Sequence, residues 1–306
     1  MKIYVAGHSG LVGSAVVRLI EKSGKHHWIG KRRSELDLLD RQSVMNFIEV
    51  EKPDAIVMAA AKVGGIKANA DQPVEFLTEN LQIQSNILDA AHAMSVKHFL
   101  FLGSSCIYPK MSAQPIKEEY LLTGPLEPTN EPYAIAKIAG LKLIQAYRKE
   151  YGHTWISAMP TNVYGPFDNF DPTTSHVLPA LIRKFHDAKK TNSEVVTLWG
   201  SGQPLREFIH SDDLASALLF LLENFDSDLP INVGTGQEIT IRELAQIVNE
   251  IVGFTGEILW DTKMPDGTPR KALDSTEIKR LGWTNVIDLK SGIEQTYKWF
   301  SSNFHE

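Results

Sequence analysis

Cysteine is almost absent from this chain: its 306 residues include one, Cys106. A single thiol excludes an intramolecular disulfide framework and any zinc site built from cysteine pairs. Long apolar runs are also missing, because no stretch approaches the roughly 18 consecutive apolar residues that a membrane span needs. A chain of this length can bury a core without a disulfide or metal staple. We therefore expect a globular protein that holds no metal.

An excess of positive charge is missing as well. Lys and Arg number 31 against 37 Asp and Glu, which gives a formal net charge of -6. This balance argues against a nucleic-acid-binding surface as the main role, and no basic run is longer than Lys31-Arg32-Arg33. The opening residues MKIYVAG form a strand-like run and lack the apolar region of a signal peptide. The expectation is a soluble cytoplasmic enzyme that binds neither nucleic acid nor membrane.

Short β-rich runs alternate with longer segments of helical periodicity in the first half of the chain. They predict strands at 3–6, 27–29, 55–59, 98–102 and 155–159, and helices at 11–21, 41–51, 73–94 and 131–151. Strands that alternate with helices form a parallel sheet through right-handed crossovers. The sequence therefore predicts an α/β fold with a doubly wound parallel sheet of the Rossmann type over residues 1–165.

The second half of the chain is less regular. Helices are predicted at 177–190, 211–224 and 288–300, strands at 194–198, 206–209 and 257–260, and a helix with a capping box at Thr240 and Glu243. We expect residues 166–306 to form a smaller C-terminal α/β lobe for the substrate, with returning segments near 194–224 that join the first domain. The catalytic cleft should lie where this lobe covers the carboxyl edge of the sheet.

A glycine-rich turn, Gly7-His8-Ser9-Gly10-Leu11-Val12-Gly13, separates the first predicted strand from the first predicted helix. A dinucleotide pyrophosphate needs bare backbone N–H groups at a helix N-terminus, where side chains would block its approach. Gly7 would make the tight turn, Gly10 would let the phosphate come close, and Gly13 would let helix and strand pack. The alternative is a simple tight turn, but the place directly after a strand favours a dinucleotide site.

The residues after the second predicted strand favour NADP over NAD. NAD-binding proteins usually hold the adenosine ribose there with an acidic residue, whereas this chain has Gly30-Lys31-Arg32-Arg33. The planar guanidinium of arginine suits a 2′-phosphate. The alternative is a solvated charged loop.

Tyr133 and Lys137 stand four residues apart at the start of a predicted helix, so they share one face. An ammonium group nearby favours the phenolate and lowers the pKa of a tyrosine. Ser104 and Ser105 follow the fourth predicted strand, at the edge where ligands bind. A hydroxyl there can hold a substrate carbonyl oxygen while Tyr133 supplies the proton. Taken singly, the serines would be assigned to capping or to a turn.

These three features together resemble the extended short-chain dehydrogenase/reductase family. The family's marks are the Gly-x-x-Gly-x-x-Gly turn, the Ser–Tyr–Lys triad and a segment of the type Pro160-Thr161-Asn162-Val163-Tyr164-Gly165-Pro166. Residues 200–202 and 206–210 are similar to the sugar-nucleotide lobe of the same family. The resemblance covers nearly the whole chain and implies that the triad serine is Ser104.

Within the family, five segments are similar to the members that epimerise and then reduce GDP-4-keto-6-deoxy-D-mannose. They are residues 59–66, 102–109, 159–162, 199–202 and 265–271. This resemblance implies epimerisation at C3 and C5, reduction of the C4 carbonyl, NADP(H) as cofactor and a nucleotide sugar as partner. One departure is Ser9, which stands where family members can carry an arginine for the 2′-phosphate; it leaves Arg33, helped by Lys31, as the main clamp.

The resemblance also implies an assembly, a two-fold homodimer in which the helices 73–94 and 131–151 pair with their symmetry mates. The apolar candidates for that contact are Ile83, Ile87, Ile138 and Leu141.

The residues of the site follow from the same resemblance. The catalytic residues are Ser104, Cys106, Tyr133, Lys137 and His176. The cofactor-binding residues are Gly7, His8, Ser9, Gly10, Leu11, Val12, Gly13, Arg33, Leu102, Gly103, Ser104, Ser105, Lys137, Pro160, Thr161, Asn162, Val163 and His176. The substrate-binding residues are Asn162, Lys184, Trp199, Arg206 and Asp274.

Epimerisation needs a base and an acid, which the resemblance assigns to the Cys106 thiolate and to His176. A thiol can act as the base if a nearby cation lowers its pKa. From the residues alone, the alternatives are a small buried apolar residue for Cys106 and a surface loop residue for His176.

Two other functions stay open at this point. A 4-epimerase or 4,6-dehydratase of the same family would keep NAD bound, and the dehydratases place Thr-Asp-Glu where this chain has Ser104-Ser105-Cys106. A dinucleotide-sensing protein without catalytic activity would have lost part of the triad, which is intact here.

Overall fold

The structure is a computed structural model that describes residues 1–264 and 266–304. Pro265, the first residue of the segment 265–271, lies outside the described residues. The strands are β1 Lys2–Ala6, β2 His27–Ile29, β3 Ala55–Met58, β4 His98–Leu102, β5 Ile156–Pro160, β6 Asn162–Tyr164, β7 Val195–Trp199, β8 Leu205–His210, β9 Ile231–Val233, β10 Glu238–Thr240, β11 Glu257–Asp261 and β12 Arg270–Lys271. The helices are α1 Leu11–Ser23, α2 Arg41–Glu51, α3 Ile66–Asp71, α4 Pro73–Ala93, α5 Glu131–Tyr151, α6 Val177–Lys190, α7 Ser211–Asn224, α8 Ile241–Val252, α9 Thr276–Arg280 and α10 Leu289–Asn303.

A six-stranded parallel sheet in the order β2-β1-β3-β4-β5-β9 forms the first domain. The predicted doubly wound α/β fold is therefore confirmed. The chain changes direction across the sheet between β1 and β3, and ligands bind such sheets outside the carboxyl ends of the strands at this point. The glycine-rich turn follows β1 at that place.

Side chains of the central strands alternate between two apolar cores. Tyr4 and Phe99 face the core that contains residues of α2, α4 and α5. Ile3 and Leu100 face the other core, which contains residues of α1 and α7. Burial on both faces explains why these strands are short continuous apolar runs.

A smaller lobe covers the carboxyl edge of this sheet. In it β8 pairs with β10, β12 and β6, and β7 forms a separate parallel pair with β11. Helices α6, α8 and α10 enclose a third apolar core around Phe185, Val248 and Phe300.

The predicted division of the chain differs from the structure in one respect. Of the interval 194–224, where returning segments are expected, α7 does return to the first domain, whereas β7 and β8 pair within the substrate lobe. The parts that return are α7, which packs on α1, and β9, which completes the six-stranded sheet beside β5. The cause is that β9 has only three residues, too few for an apolar pattern to mark it.

Two of the apolar residues expected at a dimer contact lie in the protein's own core. Ile87 and Leu141 are fully buried where α4 and α5 pack together, so neither can reach a second copy. The outer face of α5 instead presents Ile135, which is exposed, and Ile138, which is half-buried.

Within the described ranges, no helix is long and apolar enough to cross a membrane.

Candidate active site

The turn between β1 and α1 has the shape that a pyrophosphate requires. Gly7 adopts a positive φ of 84°, and a Cβ there would lie 2.8 Å from the Ala60 N atom that follows β3. A Cβ on Gly13 would overlap the carbonyl of Gly7. Gly10 is the N-cap residue of α1 and has no side chain, so the first amide groups of the helix are open to an anion. The residues present therefore fit a dinucleotide cofactor.

The basic cluster after β2 lies beside this turn. His8 stacks on Trp28 with ring centroids 5.5 Å apart, and desolvation followed by the Arg32 charge lowers the pKa of His8. Lys31 lies 3.7 Å from the Glu35 carboxylate. Arg33 is exposed and makes no ion pair or hydrogen bond to any residue in 1–264 or 266–304. Its guanidinium is thus free to bind a phosphate.

The triad residues meet at the carboxyl end of β4. Lys137 is buried, donates a hydrogen bond from Nζ to the Leu102 carbonyl at 2.8 Å, and lies 5.8 Å from the centroid of the Tyr133 ring. Ser104 keeps part of its surface accessible, and its hydroxyl accepts from the Cys106 N–H at 3.3 Å. The three side chains therefore lie around the carboxyl end of β4.

The pKa of Tyr133 differs from the expectation that a nearby ammonium group lowers it. Burial, with a further contribution from the Cys106 charge, raises the pKa of Tyr133. Burial lowers the pKa of Lys137 to about 8. Tyr133 therefore keeps its proton at neutral pH, which suits a group that donates rather than removes a proton.

Cys106 is buried in the loop after β4, within the short 3₁₀ turn Ser105–Ile107. Burial raises the pKa of its thiol; the Lys271 charge, the Ser104 hydrogen bond and the Lys137 charge act in the opposite direction. The expected lowering by a nearby cation is present, but desolvation outweighs it. In the ground state the thiol is therefore protonated at neutral pH.

His176 stands at the N-cap position of α6, on the opposite lobe. It keeps accessible surface, yet desolvation in the cleft and then the Lys271 charge lower the pKa of its imidazole. The segment 59–66 supports this loop, because the Gly65 N–H donates to the Thr174 carbonyl at 2.8 Å and a Cβ on Gly65 would lie 2.6 Å from the Ser175 carbonyl oxygen. The structure thus brings His176 and Cys106 to one cation from two lobes.

That cation, Lys271, was not among the residues expected in the site. It lies on β12, opposite Arg206 of β8 in the strand register. Desolvation lowers its pKa, and the Cys106 charge opposes this shift. Lys271 lies in the segment 265–271 that carried the family resemblance, but the spacing of residues could not place it beside the thiol.

Three of the expected substrate residues line the outer part of the cleft. Trp199 is 58% exposed, and the Lys184 ammonium lies 5.6 Å from its ring centroid. Desolvation lowers the pKa of Lys184. Arg206 is half-buried, and desolvation lowers the pKa of its guanidinium while the nearby Asp266 and Glu127 charges oppose that change. An exposed indole beside a lysine can stack a base, and the Arg206 guanidinium can bind a diphosphate.

Asp274 does not join these residues. Its carboxylate accepts from the Thr276 N–H at 2.9 Å. A hydrogen bond with the Thr276 side chain is the main cause that lowers its pKa, with smaller contributions from the Thr276 N–H, Lys117 and Lys279. The acidic residue next to Arg206 is Asp266, whose carboxylate accepts from the Ser201 N–H at 2.6 Å and from its hydroxyl at 2.8 Å. The sequence offered several acidic residues in this loop and no means of choosing between them.

The remaining cofactor segments form the floor between β4 and β5. A Cβ on Gly103 would overlap Met159 of β5. Residues 160–163 cross from β5 to β6, where Asn162 donates from Nδ2 to the Glu207 carbonyl at 2.7 Å. The amide oxygen of Asn162 is the part of this side chain that can face a ligand. Among residues 1–264 and 266–304, no group of three or more His, Cys, Asp or Glu side chains could hold a metal ion.

Comparison with known proteins finds a matching family, similar sequences and a similar structure. Residues 3–234 match the NAD dependent epimerase/dehydratase family. The chain is 56% identical to "Putative GDP-L-fucose synthase 2" of Arabidopsis thaliana, over 99% of this chain and 92% of that one. It is 51% identical to "GDP-L-fucose synthase" of Escherichia coli strain K12, over 99% and 97%. A crystal structure of a GDP-L-fucose synthetase from Naegleria fowleri bound to NADP superposes with a TM-score of 0.93 at 30% identity, covering 99% of this chain and 94% of that one.

Proposed function

The chain belongs to the NAD dependent epimerase/dehydratase family, and on that basis we propose that it converts GDP-4-keto-6-deoxy-D-mannose into GDP-L-fucose. The relatives at 51% and 56% identity carry the name of this activity over nearly their whole length. The observation that carries the proposal is the cluster at the carboxyl end of β4, where the Lys137 ammonium lies 5.8 Å from the centroid of the Tyr133 ring and the Cys106 charge acts on the pKa of both residues. It combines a thiol for inversion with a phenol and an ammonium for reduction.

NADP(H) is the cofactor, and when bound it supplies the hydride that reduces the C4 carbonyl. Residues 7–13 would hold its pyrophosphate against the N-terminus of α1, because glycine leaves those amides open. Arg33 would hold the 2′-phosphate. Lys137 would hold the nicotinamide ribose.

Cys106 and His176 are proposed to invert C3 and C5. The C4 carbonyl acidifies the adjacent C–H bonds, so the Cys106 thiolate can remove a proton and leave an enolate. The hydroxyls of Ser104 and Tyr133 stabilise the enolate oxygen by donating hydrogen bonds. His176, on the opposite lobe, returns a proton from the other face of the sugar. Each inversion then leaves the carbonyl intact for the second reaction.

Tyr133 is proposed to complete the reduction. Burial keeps its phenol protonated at neutral pH, so it can donate that proton to the C4 oxygen as the carbonyl becomes a hydroxyl. Lys137 lies close to the ring and stabilises the phenolate that results. Ser104 orients the same oxygen.

The outer cleft is proposed to bind the nucleotide diphosphate. Arg206, Lys271 and Lys184 provide cations for two phosphates, and Trp199 provides an exposed face for the base. Asp266, which holds the 200–202 turn beside Arg206, is a better-placed acidic residue for this lobe than Asp274.

We further propose a two-fold homodimer in the cytoplasm. The outer face of α5 presents Ile135, Ile138 and Ala139, and α4 presents the exposed Val74. An apolar stripe along two adjacent helices suits an isologous contact with a second copy.

The deciding experiment supplies the keto-sugar nucleotide with NADPH and identifies the product by NMR. Consumption of NADPH with formation of the fucose nucleotide supports the proposal. Reduction without inversion would assign the chain to a simple C4 reductase. No consumption of NADPH at all would rule out both reactions.

A further inference from the structure

Glu207 of β8 is a fully buried carboxylate outside the groups that contact the substrate. Both of its oxygens accept hydrogen bonds from the backbone of other elements. Oε1 accepts from the Gly236 N–H at 2.7 Å, in the turn between β9 and β10. Oε2 accepts from the Leu273 N–H at 2.9 Å, in the segment after β12. One side chain therefore ties together three parts of the chain.

The backbone of Glu207 adds a fourth connection. Its carbonyl accepts from the Thr161 hydroxyl at 3.1 Å and from the Asn162 amide at 2.7 Å. The neighbouring residue on β8, Arg206, faces the cleft. Because successive side chains of a strand point to opposite faces, Glu207 lies directly behind the cation proposed for the diphosphate.

The strand that Glu207 holds is short. β12 has two residues, and its register places Arg270 opposite Leu205 and Lys271 opposite Arg206. Two residues give too few ladder hydrogen bonds to fix a strand. The bond from Leu273, two residues beyond Lys271, holds the far end of the segment, and an isolated bridge pairs Leu273 with Ile116.

We propose that Glu207 is a positioning residue, whose carboxylate holds the β12 segment against β8 so that Lys271 and Arg206 stay side by side in the cleft. This inference rests on the proposed function for what the two cations bind. It adds that their placement depends on an acceptor buried behind them, and that Lys271 reaches Cys106 only while this acceptor is intact.

A carboxylate is the group that fits this place. Both oxygens meet N–H donors, so the site needs two acceptors and has no use for a donor. Glutamine has the same shape, but its NH₂ group would face one of the two N–H groups and break that bond. Glu207→Gln should therefore loosen either the Leu273 or the Gly236 connection while keeping the volume.

The test compares Glu207→Gln with Asp213→Asn in the full-length protein. Asp213 is a matched control, because it is also a buried carboxylate whose two oxygens accept backbone N–H groups, from Val286 at 3.1 Å and Ile287 at 2.9 Å. Those bonds tie α7 to the segment before α10, away from Cys106. If the two variants lose the same thermal stability, a difference between their KM values or their thiol pKa values cannot come from general destabilisation.

Two readouts separate positioning from stability. The first is the KM for the keto-sugar nucleotide, which should rise roughly tenfold in Glu207→Gln with a smaller change in kcat. The second is the pH dependence of Cys106 alkylation by iodoacetamide without substrate, with Cys106→Ser as background. Displacement of the Lys271 ammonium away from the thiol should move the apparent thiol pKa upward by roughly one unit. Asp213→Asn should change neither.

A second variant keeps the test decisive if Glu207→Gln does not fold. A Cβ on Gly234 would overlap the Glu207 Oε1 atom, so Gly234→Ala displaces the carboxylate without removing its charge, and it should reproduce both changes. The proposal is overturned if neither variant differs from Asp213→Asn in KM and thiol pKa. Failure of the wild-type enzyme to consume NADPH would refute the proposed function alone, because the thiol titration needs no substrate.

Discussion

The Lys271 ammonium, in the substrate lobe, lies near enough to the Cys106 thiol, in the dinucleotide domain, to lower its pKa against the larger opposing effect of burial. The influence is mutual, since burial lowers the pKa of Lys271 and the Cys106 charge opposes that change. The same ammonium, after desolvation, lowers the pKa of His176. The acid, the base and the cation between them therefore come from separate parts of the chain.

The first prediction concerns the pH dependence of epimerisation. The active form needs a thiolate at Cys106 and an imidazolium at His176, but burial raises the pKa of the first and lowers that of the second. Between the two pKa values this form is a small and constant fraction of the enzyme. The rate of deuterium exchange into the sugar should be flat over this range, with an acid limb that lies below the ordinary pKa of an imidazole and an alkaline limb that lies above the ordinary pKa of a thiol.

Lys271→Met tests whether the lysine charge sets this pH dependence. Removing the cation should raise both pKa values, so the acid and alkaline limbs should both move toward higher pH. A profile that does not move would mean that Lys271 does not act on the pair.

The second prediction separates inversion from reduction. Cys106→Ser replaces the thiol with a hydroxyl that does not ionise near neutral pH, so it should lose the base and keep the pocket. With NADPH in D₂O, we expect slow formation of the unepimerised 6-deoxy sugar nucleotide and no deuterium at C3 or C5, observed by NMR. His176→Asn should also lose inversion while still exchanging deuterium. Normal deuterium incorporation and a normal product from Cys106→Ser would mean that the cysteine only packs in the core and is not the base.

The third prediction concerns the proton donor. Tyr133→Phe keeps the ring and removes the phenolic proton, which should slow reduction by about 10²–10⁴-fold. NADPH should still bind, because Lys137 keeps its hydrogen bond to the Leu102 carbonyl. Stopped-flow measurement of NADPH oxidation, with cofactor binding followed by calorimetry, checks both parts. Near-normal oxidation in this variant would refute the assignment of Tyr133.

The fourth prediction concerns cofactor choice. Arg33 is exposed and unpaired among the described residues, and loss of one charge-assisted phosphate contact costs about 1.5–3 kcal/mol. Arg33→Ala should raise the Kd for NADPH roughly ten- to hundredfold and leave that for NADH nearly unchanged. Arg280→Ala, which removes an exposed arginine paired with Glu277, is the control. Equal weakening of both cofactors would make Arg33 a structural residue.

The fifth prediction concerns assembly. Sedimentation at micromolar concentration should give twice the 34.2 kDa mass of the chain. Ile135→Lys places a charge in the proposed α5 contact and should shift the protein toward monomer, because an unpaired charge is costly to bury. Val286→Lys, at a residue that is 85% exposed and lies outside α4 and α5, should not. A wild-type protein that sediments only as monomer would contradict the homodimer.

The long elements were predictable because their signals are local. α2, α5 and α6 begin and end at the predicted residues, Asp40 caps α2 by accepting from the Gln42 N–H, and the Thr240–Glu243 capping box is present. At α7 the cap is His210, which accepts from the Asp212 N–H, and the helix begins at Ser211. Of the described strands with two or three residues, β2 was predicted, whereas β6, β9, β10 and β12 gave no periodic signal in the sequence.

The candidate site was predictable where residues are close in sequence, as with Tyr133 and Lys137. It was not predictable where two lobes meet. Neither Lys271 nor Glu207 follows from a motif, because the first acts through a strand register and the second through buried backbone donors. The sign of the Cys106 shift also depends on burial, which composition and spacing do not give.

The return of β9 to the first sheet limits where the chain can be cut into fragments. A fragment ending at residue 165 would lack α7 and β9, leaving β5 as an open edge and the apolar face of α1 uncovered. Such a piece should aggregate rather than bind nucleotide. A chimera that exchanges substrate preference between relatives must therefore graft two separate stretches, one on each side of 211–233, and leave that interval with the host.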